Sequence, residues 1–170
     1  EILAKAVSMG GFVWVGLHEP SHEEFDHVAD AFDLHPLAVE DSVHAHQRPK
    51  LERYDNSVFF VLKPARYVDT EEVIEVGQLM VFVGEHFVVT VRHGTTASLT
   101  DLRGFLEDDP DRLRWGPTSV LHALADKVVD DYAVVMRGLD VDIDQIELEV
   151  FSGPKAAHAE RIFKLKREVL

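Results

Sequence analysis

Residues 36–51 read PLAVEDSVHAHQRPKL, which sets Glu40 and Asp41 side by side and follows them with His44 and His46. Side chains of these types can ligate a cation, share a proton, or simply face water at the end of a short helix. Two histidines two residues apart suit one face of a strand better than one face of a helix. Zinc wants four converging nitrogen or sulfur ligands. The chain has no cysteine and no third histidine at helical spacing, so His44 and His46 read as polar turn residues. Adjacent acids on a helix point about 100° apart and cannot jointly chelate one ion. Each can still meet a carboxylate from elsewhere through a hydrated cation. Magnesium suits that role because it keeps several waters and needs only one or two carboxylates. On the residues alone, this reading and a plain solvated helix stand side by side.

Other chemistry finds less support. There is no phosphate loop and no GxGxxG, HExxH or GxSxG pattern, and no local arrangement of Ser, His and Asp makes a triad. The stretch DVDIDQIELEV (residues 140–150) has the acidic rhythm of a calcium loop. That loop requires Gly at its sixth position and Glu at its twelfth; here they are Gln145 and Phe151, so the segment reads as the solvated acidic face of a helix. The absence of cysteine removes disulfides, thiolate metal sites and cysteine nucleophiles. The 31 Asp and Glu against 17 Lys and Arg give a net charge of −14, a surface that repels phosphate backbones and argues against nucleic-acid partners. No apolar run approaches the roughly 20 residues that span a bilayer. With 170 residues, 46% of them hydrophobic, one domain with a real core is expected. The chain begins at Glu1 without Met and stops at Leu170 inside the amphipathic run HAERIFKLKREVL. No glycine or proline stop signal follows that run, the pattern expected of a piece of something longer.

The elements that position the acids follow from periodicity. FVWVGL (residues 12–17) reads as a buried strand bounded by Gly10-Gly11 and Pro20. SHEEFDHVADAF opens with a capping box, Ser21 with Glu24, and places Phe25, Val28, Ala29 and Phe32 on one helical stripe. Pro36 fits the first position of a second short helix, with Leu37, Val39 or Ala38, and Val43 inward. Strands are expected over 57–68, 73–83 and 86–91, mostly antiparallel, with Pro64 near an edge or bulge and Gly84 taking positive φ in a tight hairpin. Residues 98–106 suggest a modest helix. From Thr118 a heptad-like seam runs through Leu121, Leu124, Val128, Tyr132, Val135, Leu139, Ile143 (or Asp142), Ile146 and Val150, which predicts one helix longer than 30 residues, well above the usual 11–12. Gly153-Pro154 should break it, and a second helix should start near Lys155.

Taken whole, HPLAVEDSVHAHQRPKLERYDNSVFFVL closely resembles the characteristic segment in the cytoplasmic domain of CorA-type magnesium and cobalt transporters. HPLAVED, QRPKLERYD and VFFVLK match the family pattern, as do LADKVVDDY (residues 124–132) and the order of elements from WVGLHEPS onward. The resemblance covers nearly the whole chain. It implies an α+β fold: an α/β/α sandwich with a mixed, mostly antiparallel sheet over residues 1–117. A long helix and the start of a second, a helical hairpin, then occupy 118–170. Family members are homopentamers whose funnel-shaped cytoplasmic part lies below a short transmembrane pore, with a Gly-Met-Asn signature toward the C-terminus. By that likeness Leu170 precedes both, and the chain meets the membrane only through segments beyond it. The resemblance implies a regulatory domain at the cytoplasmic face of the cell membrane and not an enzyme.

The likeness also assigns the acids. The pair after HPLAV and the acid before VVDDY supply ligands for regulatory divalent ions between subunits, which maps to Glu40, Asp41 and Asp126. The matching acid of the neighbour lies on a stalk helix beyond Leu170. The expected ion is Mg2+, with Co2+ or other divalent cations as possible substitutes, and its loss is expected to favour conducting states. Arg48 and Arg53 are expected to orient the loop and pair with acids such as Glu40 or Asp55. The alternatives are the cytoplasmic domain of a ZntB-like zinc transporter, or a stand-alone metal-binding or adaptor module.

Overall fold

The computed structural model describes residues 2–43, 47–96, 98–152 and 158–169. His44 and His46, the Gly153-Pro154 break and the helix start near Lys155 lie outside the described residues.

The centre is a five-stranded sheet in the order β1-β7-β6-β3-β2, built from β1 (Val13–His18), β2 (Lys50–Arg53), β3 (Ser57–Leu62), β6 (Gln78–Gly84) and β7 (Phe87–His93). Only the β1–β7 pair is parallel; β7–β6, β6–β3 and β3–β2 are antiparallel. The sheet is therefore mixed and mostly antiparallel, as expected. QLMVFVG and FVVTVRH are almost continuously buried in β6 and β7, the signature of central strands covered on both faces.

One face carries Phe59, Val61, Met80, Phe82, Val89 and Val91. It packs under α2 (His22–Phe32) and α3 (Pro36–Val43) through Phe25, Ala29 and Ala38. The other face, with Leu79, Val81 and Val88, lies against α4 (Thr100–Glu107) and the start of α6 (Pro117–Ser152) through Leu106, Val120, Ala123 and Leu124. Three layers result, helix on sheet on helix. Two further short helices are α1 (Ile2–Ser8) and α5 (Pro110–Leu113). In α2 the capping box is present as predicted, with the Ser21 hydroxyl accepting from the Glu24 backbone and the Glu24 side chain accepting from that of Ser21.

The expected strands 57–68 and 73–83 each break in two. Pro64 has no N–H to give and ends the β3 ladder, and its carbonyl accepts from Gly77 at 2.8 Å. Past this clamp β4 (Ala65–Val68) and β5 (Val73–Val76) form a separate hairpin, which lies on the distal half of α6 through Ala65, Val135 and Leu139. Gly84 does not take positive φ; a Cβ there would come 2.2 Å from the Phe87 ring, so close packing excludes a side chain. FVWVGL pairs on one side only and is a half-buried edge strand, not a buried one.

The long helix is 36 residues. Its seam is buried at Leu124, Val128, Val135, Leu139, Asp142 and Ile146, whereas Tyr132, Ile143 and Val150 are at the surface. At the ambiguous position Asp142 is the buried residue. α7 (His158–Val169) returns beside α6 and the β4–β5 turn, where Arg161 donates to Glu72, Gln145 and Glu149. Among the described residues no helix is long and apolar enough to cross a membrane.

Candidate functional site

α3 lies close to the sheet because Ala38 and Ser42, the two residues it buries, are small. Leu37, expected inward, is exposed. Two contacts fix the helix. The Ser42 hydroxyl donates to the Ala38 carbonyl at 2.7 Å, and His93 at the end of β7 reaches the Ser42 carbonyl with Nε2 at 3.0 Å. With that face committed, Glu40 and Asp41 leave the helix in different directions. Glu40 is exposed and lines an open groove between α2 and α3, together with Asp26, Asp30 and Asp33. Asp41 turns toward the edge strand β2.

There Asp41 meets a cation supplied by the chain itself. Lys50 Nζ is 2.5 Å from Asp41 Oδ2 and 2.8 Å from Glu52 Oε2, and the Tyr54 hydroxyl donates to the same Glu52 oxygen at 2.9 Å. Alternation along β2 places Lys50, Glu52 and Tyr54 toward α3, while Leu51 and Arg53 are exposed. Among the described residues the ion pairs of this loop are those of Lys50 with Asp41 and Glu52, and none is made by Arg48 or Arg53, which were expected to pair. His35, just before α3, stacks on Tyr54 with ring centroids 4.0 Å apart.

The charges respond to this arrangement. Hydrogen bonds from Lys50 and Tyr54 hold the Glu52 carboxyl below its ordinary range against the opposing effect of burial. Burial pulls the Lys50 ammonium down, but its bonds to Asp41 and Glu52 outweigh that and leave it raised. Burial and then the bond to Glu52 raise the Tyr54 hydroxyl. At neutral pH the cluster is a fixed ammonium between two carboxylates.

Asp126 is elsewhere. It is exposed on α6, two residues past the buried Leu124, in the helical layer on the far face of the sheet from α3. The three acids drawn from the sequence are thus split between opposite layers, and among the described residues no three His, Asp or Glu side chains converge to hold a metal ion. The donors are hard oxygens, and Mg2+ can be held by one or two of them with waters completing its shell. Glu40, Asp41 and Asp126 are donors of that kind, set in two separate places. Sequence reasoning missed Lys50 and Glu52 because it looked to Arg48 and Arg53 for the pairing in QRPKLERYD; the i, i+2, i+4 spacing of Lys50, Glu52 and Tyr54 was the available signal. It also missed the groove acids, whose spacing of four and three residues (26, 30, 33) marks one helical face.

The model of the CorA-like Mg2+ transporter protein family matches residues 9–170. The chain belongs to that family. Curated relatives include YfjQ of Bacillus subtilis, 33% identical over 134 residues, covering 79% of this chain and 41% of that protein. The cobalt/magnesium transport protein CorA of Thermotoga maritima is 31% identical over 144 residues, covering 84% and 41%. The soluble domain of CorA from Methanocaldococcus jannaschii superposes with a TM-score of 0.75 at 14% identity, over 93% of this chain and 63% of that one. At that identity the likeness shows the fold, a CorA soluble domain. The chain spans 41% of the length of the first two relatives. The CorA-like family is one of transporters, not enzymes.

Proposed function

We propose that this chain is the cytoplasmic, divalent-cation-sensing domain of a CorA-type Mg2+ (Co2+) transporter. In this reading Glu40, Asp41 and Asp126 are its half of intersubunit sites for regulatory Mg2+, within a homopentamer. The observation that carries it is the separation of the acids. Glu40 and Asp126 are exposed on opposite layers of one sandwich, and among the described residues no three His, Asp or Glu side chains converge on a metal ion, which supports sites completed by a neighbour. Acid-lined faces of adjacent subunits repel, more strongly where solvent is partly excluded. A shared divalent ion offsets that repulsion and favours the packed, closed ring. Its loss loosens the ring, which gives negative feedback on uptake. The shift is bounded by the difference in the ion's affinity for closed and open rings.

The test uses the intact transporter. Asp41→Ala combined with Asp126→Ala should raise the Mg2+ concentration needed to protect the cytoplasmic domain from limited proteolysis by about tenfold or more, the scale of an ordinary coupling energy. Protection indistinguishable from wild type would remove these residues from the sensor.

A further inference from the structure

The ammonium of Lys50 sits where a cation bound to Asp41 would sit. It is 2.5 Å from Oδ2 in a partly screened position, with 28% and 27% of the two side chains exposed. Accepting the sensor reading above, on which this inference rests, Lys50 and a divalent ion compete for Asp41. An ion on Oδ2 would lie at contact distance from Nζ, and one on the other oxygen would still be near enough for like charges to repel at moderate dielectric. The structure also shows where the ammonium can go. Lys50 keeps Glu52, on the same strand face at 2.8 Å, and Glu52 is held in place by the Tyr54 hydroxyl. The Lys50 Nζ also lies 5.6 Å from the centroid of the Phe59 ring. Release from Asp41 therefore breaks one of two ion pairs and requires no movement of the backbone.

We propose that Lys50 is a tethered competitor for the cation site at Asp41, occupying the carboxylate when the divalent ion is absent and yielding it when the ion binds. Such a device lowers apparent affinity without altering the ligands. Weakly bound monovalent ions do not displace a covalently tethered ammonium, so the exchange discriminates for charge. The set point of the sensor is then written partly in β2 and not in the acids alone.

Mg2+ chloride is titrated against proteolytic protection of the intact transporter. Lys50→Met keeps the apolar stem and removes the charge. It should lower the Mg2+ midpoint by about fivefold or more, the lower end of ordinary coupling between two ligands. Lys50→Arg, which keeps the charge, should shift it less. In an Asp41→Asn background the Lys50→Met shift should vanish. A second measurement needs no substitution: acylation of the Lys50 amine, followed by mass spectrometry, should accelerate at protecting Mg2+ and not at Na+ of matched ionic strength. An unmoved or raised midpoint in Lys50→Met, with Asp41→Asn alone still weakening protection, overturns the competition and leaves the sensor intact. Unchanged Lys50 acylation at protecting Mg2+ overturns it too, even if Lys50→Met does not fold. Protection indifferent to Asp41 in every background removes the sensor reading and this inference together.

Discussion

Asp142 is 5% exposed, and its carboxylate accepts from the Tyr67 hydroxyl at 2.6 Å. Removing that donor strands a buried acceptor. Tyr67→Phe should cost about 1–3 kcal/mol, the range for an unsatisfied buried polar group, measured by urea unfolding of the chain. Replacing Asp142 by Leu in the same molecule should recover part of the loss, because an apolar pair needs no partner. The pH dependence has a definite sign. Burial first, and the bond to Asp142 second, push the Tyr67 hydroxyl well up from its ordinary value. The native state then keeps a proton that the unfolded chain gives up near about pH 10. This stability is fully present below that pH and is lost progressively above it, as pH rises toward the raised folded-state value. Tyr67→Phe should therefore flatten the decline in urea midpoint between about pH 8 and about pH 11. Some slope should remain, since burial also raises Tyr54 and Tyr132. The heptad count left the choice between Ile143 and Asp142 open because hydropathy favours one and register the other. A tyrosine 75 residues earlier in the chain decides it, and no local pattern carries that information.

At the scale of elements, Tyr67 also explains a glycine inside the long helix. A Cβ on Gly138 would come 2.6 Å from the Tyr67 ring, so the β4–β5 hairpin rests on α6 only because position 138 has no side chain. Helix propensity favours Gly138→Ala by about 1 kcal/mol, but forcing a methyl into that contact costs about 1–3 kcal/mol. Net destabilisation is expected. Gly104 in α4 is the matched control, with nothing within 4 Å of a built Cβ. Gly104→Ala should raise stability by about 0.5–1 kcal/mol. Urea midpoints that move in the same direction for both would show that the ring contact does not govern Gly138. The elements themselves were largely legible. The capping box of α2, Pro36 at the head of α3 and the length of α6 follow from residue types and spacing. The β2 strand was not, since at a sheet edge two of its four residues are half-buried and two exposed, and they show no apolar alternation. The division of 57–68 into β3 and β4 depended on where Pro64 sends the chain, which the sequence marks as a break but does not aim.

At the scale of the molecule, the sheet separates the candidate acids. The sandwich was legible from the family-like motif and strand pattern, yet the placement of Glu40 and Asp41 in one layer and Asp126 in the other needs the order of helices about the sheet. That separation makes a prediction about coupling. In the isolated 170-residue chain, at −14 net charge, each half-site can attract Mg2+ only as a diffuse, hydrated counter-ion. Sites that share no partner across a folded core contribute independently, within about 0.5 kcal/mol. Asp41→Asn and Asp126→Asn should therefore have additive effects on Mg2+ binding to this chain, read by amide chemical-shift titration, with the Asp41 variant perturbing α3 and β2 and the Asp126 variant only α6. In the intact transporter the same pair should be non-additive, because one ring closure then depends on both. Additivity in both settings would mean that the two acids never act on a common equilibrium. Coupling already present in the isolated chain would require a path through the sheet that the packed core of Val81, Val88 and Val89 gives no sign of providing.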